Sequence, residues 1–222
     1  MMNFEKFDAR IIHPFTLIVS GGSGVGKSEW VLQLLDKRDN LLNTSIEYIL
    51  WCYGQQTKRL QYISEKYKDK VTLIEGIPDN FETYINSSRA GLVVFDDLMQ
   101  EAVSSKVMSE LFTKQSHHLN LSVVLVLQNI YAEGKVRKTL YRNAHYLVLF
   151  KTPLDYSIVY SLAQKINPKK SQRFLNMFKR ATSEPYGYLF IDGKAHTPDK
   201  IRFRYDIFHP LFQRVLEPLD NL

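Results

Sequence analysis

The feature that most constrains this chain is the stretch Phe15 to Leu35, FTLIVSGGSGVGKSEWVLQLL. A mostly apolar run ends at Val19, Ser20 follows, and then comes the loop Gly21, Gly22, Ser23, Gly24, Val25, Gly26, Lys27, Ser28. Val31, Leu34 and Leu35 fall at helical spacing after it. Strand, glycine loop and helix in that order are the context in which G-x-x-x-x-G-K-[ST] marks a phosphate site. A polyphosphate needs several N–H donors converging on it, and a backbone stripped of Cβ atoms at Gly21, Gly22, Gly24 and Gly26 can wrap closely enough. The helix opening near Lys27 points its positive end at the same anion. Lys27 reaches the β and γ phosphates as a point charge, and the Ser28 hydroxyl is a ligand for Mg²⁺. All eight loop residues are therefore expected to bind ATP, against the bland alternative of a glycine-rich turn that binds nothing.

The rest of the sequence supplies a frame for that loop. Ile46 to Tyr53, Val71 to Glu75, Gly91 to Asp97, Ser122 to Leu127 and His145 to Lys151 read as strands, several apolar throughout. Helical spacing lies between them, at Thr57 to Lys68 and at Val103, Val107, Leu111 and Phe112, with a short helix expected at Phe81 to Ile85. Alternating elements with continuous apolar strands predict an α/β P-loop NTPase fold, a mostly parallel RecA-like (ASCE) sheet with helices on both faces. Asp155 to Ile166 and Ser171 to Ala181 read as helices. Tyr186 to Ile191 and Ile201 to Tyr205 read as an antiparallel carboxyl-terminal strand pair joined across Asp192 and Gly193, and His209 to Leu216 as a short helix. No repeat or Pro/Gly/Ser linker divides residues 1–222, so one domain is expected.

The strand Gly91 to Asp97 runs four apolar residues into two acids, as a buried strand does when it ends at the ligand edge of a parallel sheet. Asp96 is expected to hold Mg²⁺ and Asp97 to orient or deprotonate the attacking water. A helix N-cap is the alternative for an acid in this place, above all for Asp97. Gln128 ends the next strand, where an amide can sense the γ phosphate, or merely close the strand. A positive charge against the transferred phosphoryl group often comes from a neighbouring subunit. Arg137 and Arg142 are the candidates, with surface or DNA-contacting roles as alternatives. His117 and His118 have no third ligand at useful spacing, so a loop near the site or a subunit contact is expected of them rather than a metal site.

One cysteine, Cys52, excludes a disulfide framework and fits a reducing compartment. The amino terminus carries charges where a signal peptide needs an apolar stretch, and no apolar run reaches membrane-spanning length, so an intracellular protein with no membrane segment is expected. The net charge of +6 is unevenly placed. Glu133 to Asp206 holds 15 Lys or Arg against 6 Asp or Glu, a local +9, so the remainder sums to −3. That asymmetry points to a polyanion partner for the carboxyl-terminal half, or to a solvated basic surface.

Taken together, GGSGVGKS, VVFDD, SHHLN leading into SVVLVLQN, and RNAHYLVLFK resemble the DNA-packaging ATPases of double-stranded DNA viruses. They are most like the poxvirus-type enzymes and their relatives in Polinton elements and adintoviruses, within the FtsK/HerA superfamily. The resemblance spans roughly Ile11 to Phe208. It implies a homo-oligomeric ring of five or six subunits, ATP hydrolysed between subunits, and double-stranded DNA driven into a capsid whose proteins are partners, at a viral assembly site in host cytoplasm or nucleus. Carried over by position, Lys27 and Ser28 bind phosphates and metal, Asp96 and Asp97 form the acidic pair, and Gln128 is the sensor. FtsK-type members have Asp-Glu where this chain has Asp96-Asp97, which bears on Asp97 as base. The finger arginine varies in place among relatives, so Arg137 and Arg142 both stand. The competing classes are a helicase or AAA+ remodeller, a nucleotide kinase with a lid, and a non-catalytic scaffold.

Overall fold

The computed structural model describes residues 8–98, 101–102, 105–128, 135–152, 157–209 and 214–216. Its spine is one nine-stranded sheet in the order β3-β2-β4-β5-β1-β6-β7-β8-β9. The first six are β1 (Thr16–Ser20), β2 (Tyr48–Tyr53), β3 (Val71–Glu75), β4 (Gly91–Asp96), β5 (Leu121–Leu127) and β6 (Tyr146–Phe150). They run parallel, with Ser20 level with Leu127 and Leu149, and Tyr53 level with Asp96. The loops after β1, β4 and β5 therefore meet at one edge. β7 (Tyr188–Asp192), β8 (Phe203–Tyr205) and β9 (Arg214–Val215) extend the sheet antiparallel from β6.

Strands buried on both faces explain the continuous apolar runs. Alternate residues feed two cores: Val93, Phe95, Val123, Leu125, Leu147 and Leu149 point to one, and Leu92, Val94, Val124, Val126, Val148 and Phe150 to the other. All seven residues of β5 are buried, as a central strand requires. Helices α1 (Lys27–Asp36) and α2 (Lys58–Lys66) cover the second core through Trp30, Val31, Leu34, Leu60 and Ile63. The first core is covered by α3 (Lys106–Glu110), α4 (Lys135–Arg142), α5 (Ser157–Ile166) and α6 (Ser171–Ala181), through Met108, Leu140, Leu162, Phe174 and Phe178.

The expected class thus holds: a mostly parallel sheet, covered on both faces, with an antiparallel extension. Four local expectations change. The extension has three strands, because Arg214 and Val215, expected in a helix, pair with Tyr205 and Arg204. Ile201 and Arg202 belong to a helical turn, Asp199–Arg202, so the link from β7 to β8 is longer than a turn at Asp192-Gly193. Tyr186 precedes β7 rather than belonging to it. His117 and His118 are helical and lie just before β5, at the edge opposite the glycine loop, so they are not a loop near the site. Val103 lies outside the described residues, and α3 passes into a π-helical turn, Leu111–Gln115, over Leu111 and Phe112.

The extension is pinned by a buried ion pair. Arg204 of β8 is 1% exposed, lies 3.5 Å from Asp192 of β7, stacks over Phe190, and donates to the Ala9 carbonyl. Burial pushes the guanidinium down from its usual range, and Asp192 opposes that shift. Removing one partner of such a pair strands the other charge, at about 3–5 kcal/mol.

Candidate functional site: a nucleotide cleft at the strand tips

The glycine loop leaves β1 with the Gly21 amide donating to Leu127 O, 3.2 Å away, which ties it to the tip of β5. Gly24 and Gly26 have φ of 75° and 99°, a left-handed backbone that costs a side-chain-bearing residue energy and glycine almost nothing. Gly26 caps α1 with no side-chain partner, so the first N–H groups of the helix stay aimed at the cleft. Lys27 Nζ donates to Gly22 O at 2.6 Å and is held across the loop. Desolvation pulls its pKa down, and the charges of Asp96 and Asp97 oppose that.

The decisive contact crosses the sheet. β5 separates β1 from β4, yet the Ser28 hydroxyl donates to Asp96 Oδ1 at 3.2 Å. The carboxyl of Asp96 is raised above its usual value, chiefly by burial, with the Ser28 hydrogen bond and the charge of Arg59 acting the other way. A bound cation would favour the ionised form that burial disfavours. Hydroxyl and carboxylate oxygens are the hard donors that Mg²⁺ takes, alongside phosphate and water. The residues present therefore fit a magnesium–triphosphate group without a dedicated cage. No cluster of three or more His, Cys, Asp or Glu is found among the described residues.

Asp97, next along, has φ of 58° and is exposed. Its carbonyl fills the space that a Cβ on Gly54 would occupy, at 2.3 Å, and Gly54 N donates to Asp96 O at 3.2 Å. Glycine at 54 is what lets the β2 and β4 tips close together. The helix-cap alternative for Asp97 turns on the amides of residues 99 and 100, which lie outside the described residues. A cavity of about 210 Å³ brings Ser23, Gly24, Lys27, Ser28, Asp96, Asp97 and Gln128 to one place. Gln128, exposed at the tip of β5, lies between the two halves.

Arg142 is placed elsewhere. It ends α4 just before β6 and lines a cleft with Asn143, His145 and Lys194. Thr16, at the start of β1, takes the His145 amide there. The strand length from Thr16 to Ser20, at roughly 3.3 Å per residue, keeps Arg142 from the phosphates of its own chain. Arg137 is on the same helix, and its side chain lies outside the described residues.

Two residues of the cleft escaped the sequence reading. Arg59 on α2 lines the cavity with Asp96 and also a larger one on the other side of the loop. Tyr186 stands beside Gly26. The only signal for Arg59 was its place one turn into a helix after a strand tip, and Tyr186 had none.

A family model described as the poxvirus A32 protein matches residues 1–208. The chain belongs to that family. Its A32 membership agrees with the packaging-ATPase motifs, and this is a viral genome-packaging ATPase of the P-loop class. No curated protein sequence matches the chain. Among solved structures it is similar to the genome packaging NTPase B204 from Sulfolobus turreted icosahedral virus 2. The B204 complex with ATP-gammaS is 15% identical, covers 86% of this chain and 96% of that one, and has a TM-score of 0.54. The AMPPCP complex is 14% identical, covers 83% and 95%, and has a TM-score of 0.53. At that identity the likeness speaks for the fold, and it extends over nearly all of B204.

Proposed function

We propose that this A32-family ATPase hydrolyses Mg·ATP between the subunits of a homo-oligomeric ring, pentameric or hexameric, and uses the cycle to drive double-stranded DNA into a capsid at the viral assembly site. The observation that carries the reading is the Ser28–Asp96 contact of 3.2 Å, which joins the two halves of a nucleotide site across an intervening strand. In this reading the loop amides and Lys27 bind the β and γ phosphates, and Lys27 exchanges Gly22 O for phosphate oxygen. Ser28 and Asp96 hold Mg²⁺, which when bound neutralises charge on the phosphoryl oxygens. Asp97 orients the attacking water and accepts its proton, and Gln128 positions that water against the γ phosphate. Arg59 adds positive charge from the same chain. Arg142, exposed at the opposite edge, or Arg137 supplies the finger to a neighbouring subunit.

Exposed Lys165, Lys169, Lys170, Lys179 and Arg180 on α5, α6 and the turn between them offer a surface for DNA phosphates. Other cations of the basic half are engaged internally: Arg202 donates to the carbonyls of Asp192, Lys194 and Thr197, and Arg204 is buried. No helix among the described residues is long and apolar enough to cross a membrane. The test is ATPase rate with and without double-stranded DNA, beside the mass of the assembly. Stimulation by DNA, lost steeply with added salt as phosphate contacts require, in a protein that forms rings is the expected result. A DNA-indifferent rate from a monomer would overturn the motor.

A further inference from the structure

We infer that Tyr186 is the stacking platform for the nucleobase of the bound nucleotide. The inference rests on the ATP-site reading and deepens it. The glycine loop has a cavity on each side, and both are lined by Gly24, Lys27, Ser28 and Arg59. One of them holds Asp96, Asp97 and Gln128, the groups that act on the γ phosphate. A triphosphate bound there with its γ phosphate toward those acids must leave the loop in the other direction. That direction is the second cavity, about 470 Å³, whose walls include Glu29, Trp30 and Gln33 of α1, and Tyr186 and Tyr188. Its size lies in the range that holds small-molecule ligands.

Tyr186 is an unusual wall. It is 72% exposed and has φ of 62°, a left-handed backbone that is costly for a residue carrying an aromatic ring. No hydrogen bond to it occurs among the described residues. The turn that presents it is closed by Gly187 N donating to Glu184 O at 3.0 Å. A Cβ on Gly187 would meet Ala181 O at 2.6 Å, so glycine is required at 187 while the left-handed place at 186 holds tyrosine. The ring reaches to 3.1 Å from where a Cβ on Gly26 would stand, which sets it directly beside the start of the phosphate-binding helix. An exposed π surface next to the exit of a triphosphate site is what a flat heterocycle stacks on, and stacking tolerates any base because every base has a π face.

The test compares ADP with inorganic tripolyphosphate as calorimetric ligands of the full-length protein. Tyr186→Gly removes the ring and suits the left-handed backbone, so its melting temperature should not fall below that of wild type. Its affinity for ADP should drop about fivefold to a hundredfold, while tripolyphosphate binds as before. Tyr186→Phe should restore ADP binding. Unchanged ADP affinity in Tyr186→Gly, or equal losses for ADP and tripolyphosphate, overturns the inference and leaves the phosphate site standing. Loss of subunit assembly with ADP affinity intact overturns it in favour of a contact between subunits. Wild-type protein that binds neither ligand would sink the ATP site and this inference together.

Discussion

The two sides of the glycine loop are built on different principles. On the side proposed for the chemistry, Asp96, Asp97 and Gln128 come from the tips of parallel strands whose apolar runs announce them, and Ser28 from the first turn of α1. On the other side, the wall is made by Tyr186 and Tyr188 at the entry to β7, a strand that pairs antiparallel with β6. The first side is set by a sheet that must bury both faces, so its tips can only fall where they do. The second depends on an extension held by Arg204, Asp192 and Phe190. In the proposed reading, the chemistry and the phosphate grip sit on the parallel block, and the base contact on its antiparallel appendage.

Mutations that strike one side and spare the other make that contrast measurable. Lys27 is shared by both cavities, so Lys27→Ala should lower kcat by at least about 10²–10³-fold, the loss typical of a preorganised charge aimed at the reacting group, and weaken nucleotide binding as well. Normal hydrolysis by this variant would refute the site. Arg204→Ala should cost about 3–5 kcal/mol in denaturant unfolding by leaving Asp192 buried and unpaired. Arg204→Met paired with Asp192→Asn should recover most of it. If the single variant is as stable as wild type, the extension is not held by this pair.

Asp96→Asn is expected to remove hydrolysis yet stabilise the nucleotide-free protein by a few degrees, since roughly 1 kcal/mol moves a domain of this size by about 2–4 °C. The sign follows from the direction of its shift. A carboxyl raised above its unfolded value favours the fold when protonated, so that gain is lost as pH rises from the unfolded value through the raised one. Thermal melts of both proteins across pH 4 to 8 read this, and identical pH dependence in the two would contradict it. The smallest effect belongs to Gln128→Ala, expected to slow kcat about tenfold to a hundredfold with ATP affinity kept, the mark of a group that positions water. An affinity loss equal to the rate loss would make it a binding residue instead.

How far these features were legible depends on whether the signal is local. The β1–loop–α1 unit is written in consecutive residues, because the turn, the helix start and the phosphate all lie within one stretch. Asp96 was readable because buried strands are apolar and an acid can stand only at their end. The helix expected at His209 to Leu216 failed at Arg214 and Val215, whose apolar and charged mix suits a helix face as well as an edge strand, and only pairing with β8 decides between them. Of the two places expected for His117 and His118, the loop near the site fails because strand direction sends them to the far edge, and the subunit contact stands as an expectation.

Arg142 shows the same limit: its place before a strand puts it at that strand's start, and only the parallel pairing of β6 with β1 sends that start to the edge away from the glycine loop. The sequence by itself determined which residues could grip phosphate, since glycine spacing and a following helix are local requirements of the backbone. Only the tertiary structure decided that β5 lies between Ser28 and Asp96, and that the turn before β7 brings Tyr186 to Gly26. Those are pairings between distant segments, selected by how nine strands share two cores rather than by any one stretch.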